Sequence, residues 1–223
     1  MRIASGEFIA FCDADDMWNN AKLETQVDLL RSQPEYDVTY SDALIVDEEG
    51  RFAGYRFSHR FPPPKSPSGC LFVDLLSRNF INIQTVLIRK RCVHSAGYFD
   101  ENVKWVEDWW YWIVVSHHHR FLYTPVALAK YRVHSQSTNV IRRRGYYINR
   151  IKVFRRILHR YPDLLASAKA DILYQMGTDL CELGRSRIGR HVLLKCAASS
   201  VMDIRALRRL SLALARILVS LLI

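Results

Sequence analysis

The sequence predicts an α/β protein, a mixed sheet with flanking helices, followed by an all-helical, basic appendage. Three observations carry this. Through residue 139, short β-prone apolar runs alternate with segments of helical period, the pattern of a layered α/β domain. From Val140 onward the apolar residues recur only at three and four spacing. The charge divides at the same place: residues 1–140 carry 15 Lys+Arg against 17 Asp+Glu, a net of −2, and residues 141–223 carry 17 against 5, a net of +12. With 223 residues, 49% hydrophobic and 24% charged, the chain can bury one sizeable core or two small ones, and its composition is not that of a disordered tail.

The elements follow in order. Residues 7–12, "EFIAFC", are brief, apolar and aromatic, as in a buried strand, and they close on an acidic loop. Leu23, Val27 and Leu30 recur at helical intervals between Asn20 and Arg31, with Pro34 as a stop signal. "YDVTYSDALIVDEEGRFAGYRF" reads as two strands joined by a turn at Glu49-Gly50. The three prolines of "FPPPKSPSG", residues 61–69, allow neither strand nor helix and mark a stiff loop. Cys70 to Arg78 suits a short helix, "INIQTVLIRK" a strand running into a helix start, Glu107 to Ser116 a helix, and "RFLYTPVALAKYRVH" extended chain. Pro162 and Gly184 divide the segments of the helical appendage. Its last stretch places Leu207, Leu210, Leu214, Ile217 and Leu221 on one stripe, with Arg205, Arg208, Arg209 and Arg216 largely off it, and packing on its own domain is the expectation.

Several classes of function are disfavoured by composition. The five cysteines are odd in number, widely spaced and never in a C-x-x-C pair, so they read as buried thiols, not as a disulfide framework or zinc site. Three adjacent histidines, His117 to His119, diverge and cannot all meet one ion; they read as a helix end. No basic leader precedes an apolar stretch, and no apolar run approaches the ~20 residues that span a bilayer. A cytoplasmic location is therefore expected, with peripheral contact at the inner membrane as an extension of it. Tyr146, Tyr147 and Phe154 interleave with arginines, but no nucleic-acid motif accompanies them, and no nucleic-acid partner is expected.

Chemistry is concentrated where the first strand ends, in "CDADD". Ligands of open α/β sheets bind at the carboxyl ends of strands. Side chains at i and i+2 of extended chain point the same way, so Asp13 and Asp15 can face one ligand together. Two hard oxygen donors, completed by water and phosphate oxygens, suit Mg²⁺ or Mn²⁺ carrying a diphosphate. A D-x-D alone is a weak signal, because aspartates are common in turns at strand ends. Phosphatases of the haloacid dehalogenase type share it, yet continue with Thr or Val where this chain has Met17, and are disfavoured.

Four stretches in order, "SGEFIAFCDADDMWNNAKLETQVDLL", "GYFDE" at 97–101, "EDWWYW" at 107–112 and "LAKYRVHSQS" at 128–137, resemble the motifs of family 2 glycosyltransferases of the GT-A fold, over roughly residues 3–139. The resemblance implies an inverting, metal-dependent transfer of a sugar from a nucleotide-diphosphate sugar to an acceptor hydroxyl on a glycan or lipid-linked acceptor, as in bacterial polysaccharide assembly. It implies that Asp13 lies near the nucleotide ribose or the metal, that Asp15 is the principal metal ligand to the donor diphosphate, and that Asp16 orients the loop. It makes Asp108 the general base, a role with its own physical sense, because a carboxylate desolvated by neighbouring tryptophans has a raised proton affinity. Arg132 is expected beside the phosphates, His134 as a further metal or diphosphate contact, and Glu107, Trp105 and Trp109 on the acceptor side, although at least two of Trp105, Trp109, Trp110 and Trp112 are expected in the core. Acids before a helix also simply cap it.

In that family a nucleotide-binding half precedes the D-x-D strand. The chain is accordingly expected to be an N-terminally truncated GT-A domain (1–139) with a helical appendage (140–223), to lack most donor-binding surface, and to be inactive alone. An exposed sheet would then favour homo-oligomers or aggregation. The alternative is a non-catalytic module that docks on a partner protein or an anionic membrane through its basic helices.

Overall fold

The computed structural model describes residues 1–133, 143–200 and 215–216. It contains two compact units, Met1–Asp100 with Glu107–Ser137, and Glu101–Val106 with Thr138–Ile223. The first is built on a curled mixed sheet. Strand β3 (Val38–Val46) is its centre, buried along almost its whole length, so nearly every residue of "VTYSDALIV" faces protein. On one side β3 pairs in parallel with β6 (Phe121–Arg132), and on the other it pairs antiparallel with β5 (Leu87–Arg89) near its start and with β4 (Phe52–Arg56) near its end. Strand β1 (Phe8–Ala10) lies beyond β5 and β2 (Met17–Trp18) beyond β6, giving the order β1-β5-β3-β6-β2. The turn between β3 and β4 falls where Glu49-Gly50 predicts it: Asp47 Oδ1 accepts from the Glu49 and Arg51 amides at 3.1 and 2.8 Å, and Gly50 takes the left-handed conformation (φ 82°).

Helix α1 (Lys22–Ser32) corrects an expectation from periodicity. Leu23 is exposed, and the stripe turned inward is Lys22, Gln26 and Leu30. Polar contacts hold the helix in that rotation: Lys22 Nζ donates to Gln26 Oε1 (2.7 Å) and to the Val86 carbonyl (3.3 Å), and Gln26 Nε2 donates to the Thr85 carbonyl (2.7 Å). Short helices α2 (Phe57–Arg60) and α3 (Phe72–Leu75) flank the proline loop, and a 3-10 turn (Ile83–Thr85) leads into β5 and α4 (Lys90–Ala96). Helix α5 (Glu107–Ser116) is buried nearly all round, as a helix of mostly apolar residues must be. Only its acidic first turn reaches the surface. Edge-to-face contacts run from Phe11 to Trp112 (5.8 Å between ring centres) and Phe99 (5.6 Å), and Phe99 meets Tyr111 at 4.6 Å. Each such pair adds about 0.5–1.5 kcal/mol beyond area burial, and together they lock the exit of β1 onto α5.

The second unit consists, among its described residues, of helices α6 (Arg143–Arg160), α7 (Ala166–Glu182) and α8 (Ser186–Ser200) with the loop Glu101–Val106. Helices α7 and α8 approach closely because two glycines face the contact. A Cβ on Gly177 would come within 2.7 Å of Leu193 Cγ, and one on Gly189 within 2.6 Å of Cys181 Sγ. Helix α7 ends in a Schellman turn: the Gly184 amide donates to the Cys181 carbonyl and the Arg185 amide to the Leu180 carbonyl, both at 2.9 Å. The stripe expected over Leu207–Leu221 lies outside the described residues.

Candidate active site

The acidic loop is pinned at both ends by the sheet. β1 delivers Asp13, and β2, paired with β6, receives the chain after Asp16. The Asp16 amide donates to the Asp13 carbonyl at 3.2 Å, closing a turn, and Asp16 Oδ1 accepts from the Arg132 amide at 2.8 Å. Asp16 thus braces the loop on β6. Arg132 supports it further, with Nε on the Asp15 carbonyl (2.8 Å) and Nη1 on the Asp47 (3.2 Å) and Glu48 carbonyls. Its guanidinium therefore holds three main-chain carbonyls and acts here as a brace.

Electrostatic tension gathers on this loop. Burial pushes the Asp16 carboxyl up to about 7, with the Asp15 and Asp13 charges adding to the rise and the Arg132 amide and charge opposing it. Asp13 also sits above the usual carboxylate range, first through burial, then through the Asp15 charge, against a hydrogen bond of 2.6 Å that Asp13 Oδ2 accepts from Gln84 Nε2. Gln84 is buried, and its Oε1 has no hydrogen-bond partner among the described residues. Asp13 stands against the Asp15 charge, and carboxylate oxygens of this kind are hard donors whose chemistry suits a divalent cation such as Mg²⁺ or Mn²⁺.

Asp108 begins α5. Its Oδ1 accepts from the Trp109 amide (2.6 Å) and its Oδ2 from Asn79 Nδ2 (3.0 Å), while Asn79 Oδ1 is held by the Ile81 amide (3.1 Å). Burial pushes Asp108 up to about 7, the charges of Glu107 and Asp13 raise it further, and the two hydrogen bonds pull it down. Asp13 and Asp108, 95 positions apart, are thus near enough to feel one another. The reason lies in packing: Phe11 is two residues before Asp13, Trp112 is one helical turn after Asp108, and Phe11 packs on Trp112. The segment from Asn79 to Gln84 then supplies an amide to each acid.

Glu107 is exposed beside Asp108. Trp109 is 2% exposed and its Nε1 donates to the Leu75 carbonyl at 2.7 Å, so its ring belongs to the core together with Trp110 and Trp112, and offers no face to an acceptor. Burial at the head of this aromatic helix is the first cause of the raised Asp108. Trp105 keeps partial exposure, in the left-handed region (φ 64°), and belongs to the second unit, where its ring lies against Gly145. His134 lies outside the described residues.

Motif reading missed Asn79, Gln84, Lys22 and Gln26. The signal was present, because Asn82, Gln84 and Thr85 interrupt an otherwise apolar stretch, and polar residues buried in such a run must find partners.

Comparisons with known proteins find distant relatives. No family model matches the chain. Over 143 residues, 64% of the chain and 20% of the relative, it is 26% identical to an uncharacterized glycosyltransferase of Rickettsia bellii. It is 27% identical over 136 residues, 59% of the chain and 22% of the relative, to one of Rickettsia conorii. With one of Methanocaldococcus jannaschii it shares 24% over 153 residues, 68% of the chain and 48% of the relative. The chain thus spans about a fifth of two of these relatives and about half of the third. All three are named as glycosyltransferases and nothing finer, and the mixed sheet with flanking helices is compatible with a Rossmann-like glycosyltransferase fold.

Proposed function

We propose that the chain carries the metal and acceptor side of a family 2 glycosyltransferase with the GT-A architecture, transferring a sugar with inversion from a nucleotide-diphosphate sugar to a hydroxyl of a glycan or lipid-linked acceptor. The observation that carries this is the pairing of Asp13 with Asp108 around one segment, Asn79 to Gln84. Asp15 and Asp13 would hold Mg²⁺ or Mn²⁺, which when bound neutralises charge on the departing nucleoside diphosphate. Asp16 and Arg132 keep those carboxylates presented. Asp108 accepts the proton of the acceptor hydroxyl as its oxygen attacks the anomeric carbon; a carboxylate raised to about 7 is well matched to that task at neutral pH. Asn79 fixes the orientation of Asp108, and its N–H leaves the other carboxylate oxygen oriented by the Trp109 amide.

Isothermal titration of the full chain with Mn²⁺ and a panel of nucleoside diphosphates tests the reading. Saturable heat that disappears in Asp15→Ala is expected. No heat with any member of the panel, from protein shown to be folded by circular dichroism, removes the metal and donor roles.

A further inference from the structure

At the strand ends opposite the acidic loop, three adjacent strands lead from or into segments that each bring one metal-ligating residue to the same place. Asp37 immediately precedes β3, Cys92 follows β5 by three residues, and His119 lies two residues before β6. Because β5 runs antiparallel to β3 while β6 runs parallel to it, the end of β5 and the starts of β3 and β6 meet on one side. The carboxylate oxygen, thiol sulfur and imidazole nitrogen lie within 4.8 Å of one another. Cys92 is fully buried, and the side chains of Asp37 and His119 are each 12% exposed, so the cluster is desolvated yet reachable.

The hydrogen bonds around His119 define what the cluster lacks. Ser95 Oγ has three partners within reach, the main-chain carbonyls of Cys92 at 3.1 Å and Arg91 at 3.4 Å and the ring of His119. Its contact with His119 Nε2, the shortest of the three at 2.5 Å, can be donated by the hydroxyl or by the imidazole. His119 Nδ1 lies 2.7 Å from Asp37 Oδ2, a nitrogen and an oxygen held together by a positive centre between them. A proton is one solution. A metal ion is the other: with it bound, the imidazole keeps its hydrogen on Nε2 and donates it to Ser95 Oγ, and Arg91 Nε holds the second carboxylate oxygen of Asp37.

We propose that Asp37, Cys92 and His119 bind a borderline-soft divalent cation of the zinc class. One thiolate, one imidazole and one carboxylate are ligands that select such an ion over Mg²⁺, and three protein ligands leave a fourth position to water. Binding releases the Cys92 thiol proton to solvent and opens the Asp37–His119 contact toward the ~3.3 Å that separates two ligands of a tetrahedral ion. The site is separate from the acidic loop in place and in donor chemistry, and does not depend on the glycosyl-transfer reading.

Cobalt titration of the chelator-treated full chain, followed by zinc displacement, tests it. One equivalent of Co²⁺ should produce a near-ultraviolet thiolate-to-cobalt band, and Zn²⁺ should abolish it. Cys92→Ser should lose the band, and His119→Gln should weaken cobalt affinity about 10- to 100-fold, each with its circular dichroism retained. Because Cys92 is buried and its replacement can unfold the chain, the more accessible His119 provides the second variant. The band should persist in Cys12→Ser and in Asp15→Ala. No band at saturating cobalt, with only a stability loss in His119→Gln, overturns the proposal in favour of an imidazolium–carboxylate pair; a band lost in Cys12→Ser overturns it by moving the metal to the acidic loop.

Discussion

Asp108 in the sheet unit and Asp179 in the helical unit are both pushed up to about 7 by burial, yet their neighbours are opposite. Asp108 accepts from two neutral donors and stands beside two further acids, Glu107 and Asp13, at the first turn of a helix. Asp179, 3% exposed in α7, has the Arg150 guanidinium at 3.2 Å, and that cation draws its proton affinity back down while Glu182 raises it. Arg150 is also tied to Gln175 Oε1 (3.1 Å) and lies over the rings of Tyr146 and Phe154. The contrast shows that a perturbed carboxylate does not by itself mark a reactive site. An acid kept among acids still has a demand for a cation or a proton donor, whereas an acid with a guanidinium beside it has part of that demand offset by the fold.

The comparison breaks or sharpens under four experiments. The largest effect is expected for Asp108→Asn, which should lower acceptor-dependent release of nucleoside diphosphate by about 10²–10⁴-fold, while Asp179→Asn leaves it within twofold in folded protein. Equal losses would show that the two acids do the same kind of work. Next, denaturant titration of Asp179→Asn should reveal a cost of about 1–3 kcal/mol, because the lost attraction to Arg150 is partly offset by relief from burying a carboxylate. The double change Arg150→Met with Asp179→Leu should recover most of it.

The pH dependence of stability comes third. A carboxyl whose folded pKa lies above its unfolded value binds its proton more tightly in the folded state, so the folded state loses stability as pH rises from about 4 through about 7. Asp108→Asn should flatten that decline and, above pH 7, melt higher than the wild type; a melting temperature that instead rises with pH across this window would contradict the burial of these groups. The smallest effect belongs to Gln84→Leu. Removing the donor to Asp13 raises that acid's proton affinity further, so apparent Mn²⁺ affinity should fall about 3- to 10-fold, in line with a hydrogen bond to a charged group.

Much of the fold was legible in the chain because local rules decide it. The 107–116 helix, the turn at Glu49-Gly50, the proline loop and the break at Gly184 all fall where backbone chemistry requires. Helix α1 was legible as a helix but not in its rotation. Periodicity counts apolar residues, and here buried amide and ammonium groups, satisfied by the carbonyls of Thr85 and Val86, outweighed Leu23 in choosing the inward face. Trp109 illustrates the same limit: a tryptophan beside an acid can line a cleft or fill a core, and only the reach of its Nε1 to Leu75 decides between them.

The candidate site divides in the same manner. D-x-D after an apolar strand and Glu-Asp before a helix are visible without coordinates, because strand ends and helix starts impose those residue types locally. That His119, read in sequence as a mere helix end, sits against Asp37 and near Cys92 was not visible, since no local spacing relates the three.

Residue order alone therefore determined the elements, their turns, the acidic loop and the basic character of the second half, all of which follow from backbone preferences and from charges that neighbours in the chain share. Tertiary structure decided which acids influence one another, which aromatic rings are interior, and which side chains from segments flanking three strands converge at the far strand ends. These are matters of packing between distant segments, where a ring such as Phe11 settling on Trp112 sets the distance between groups that the chain itself keeps far apart.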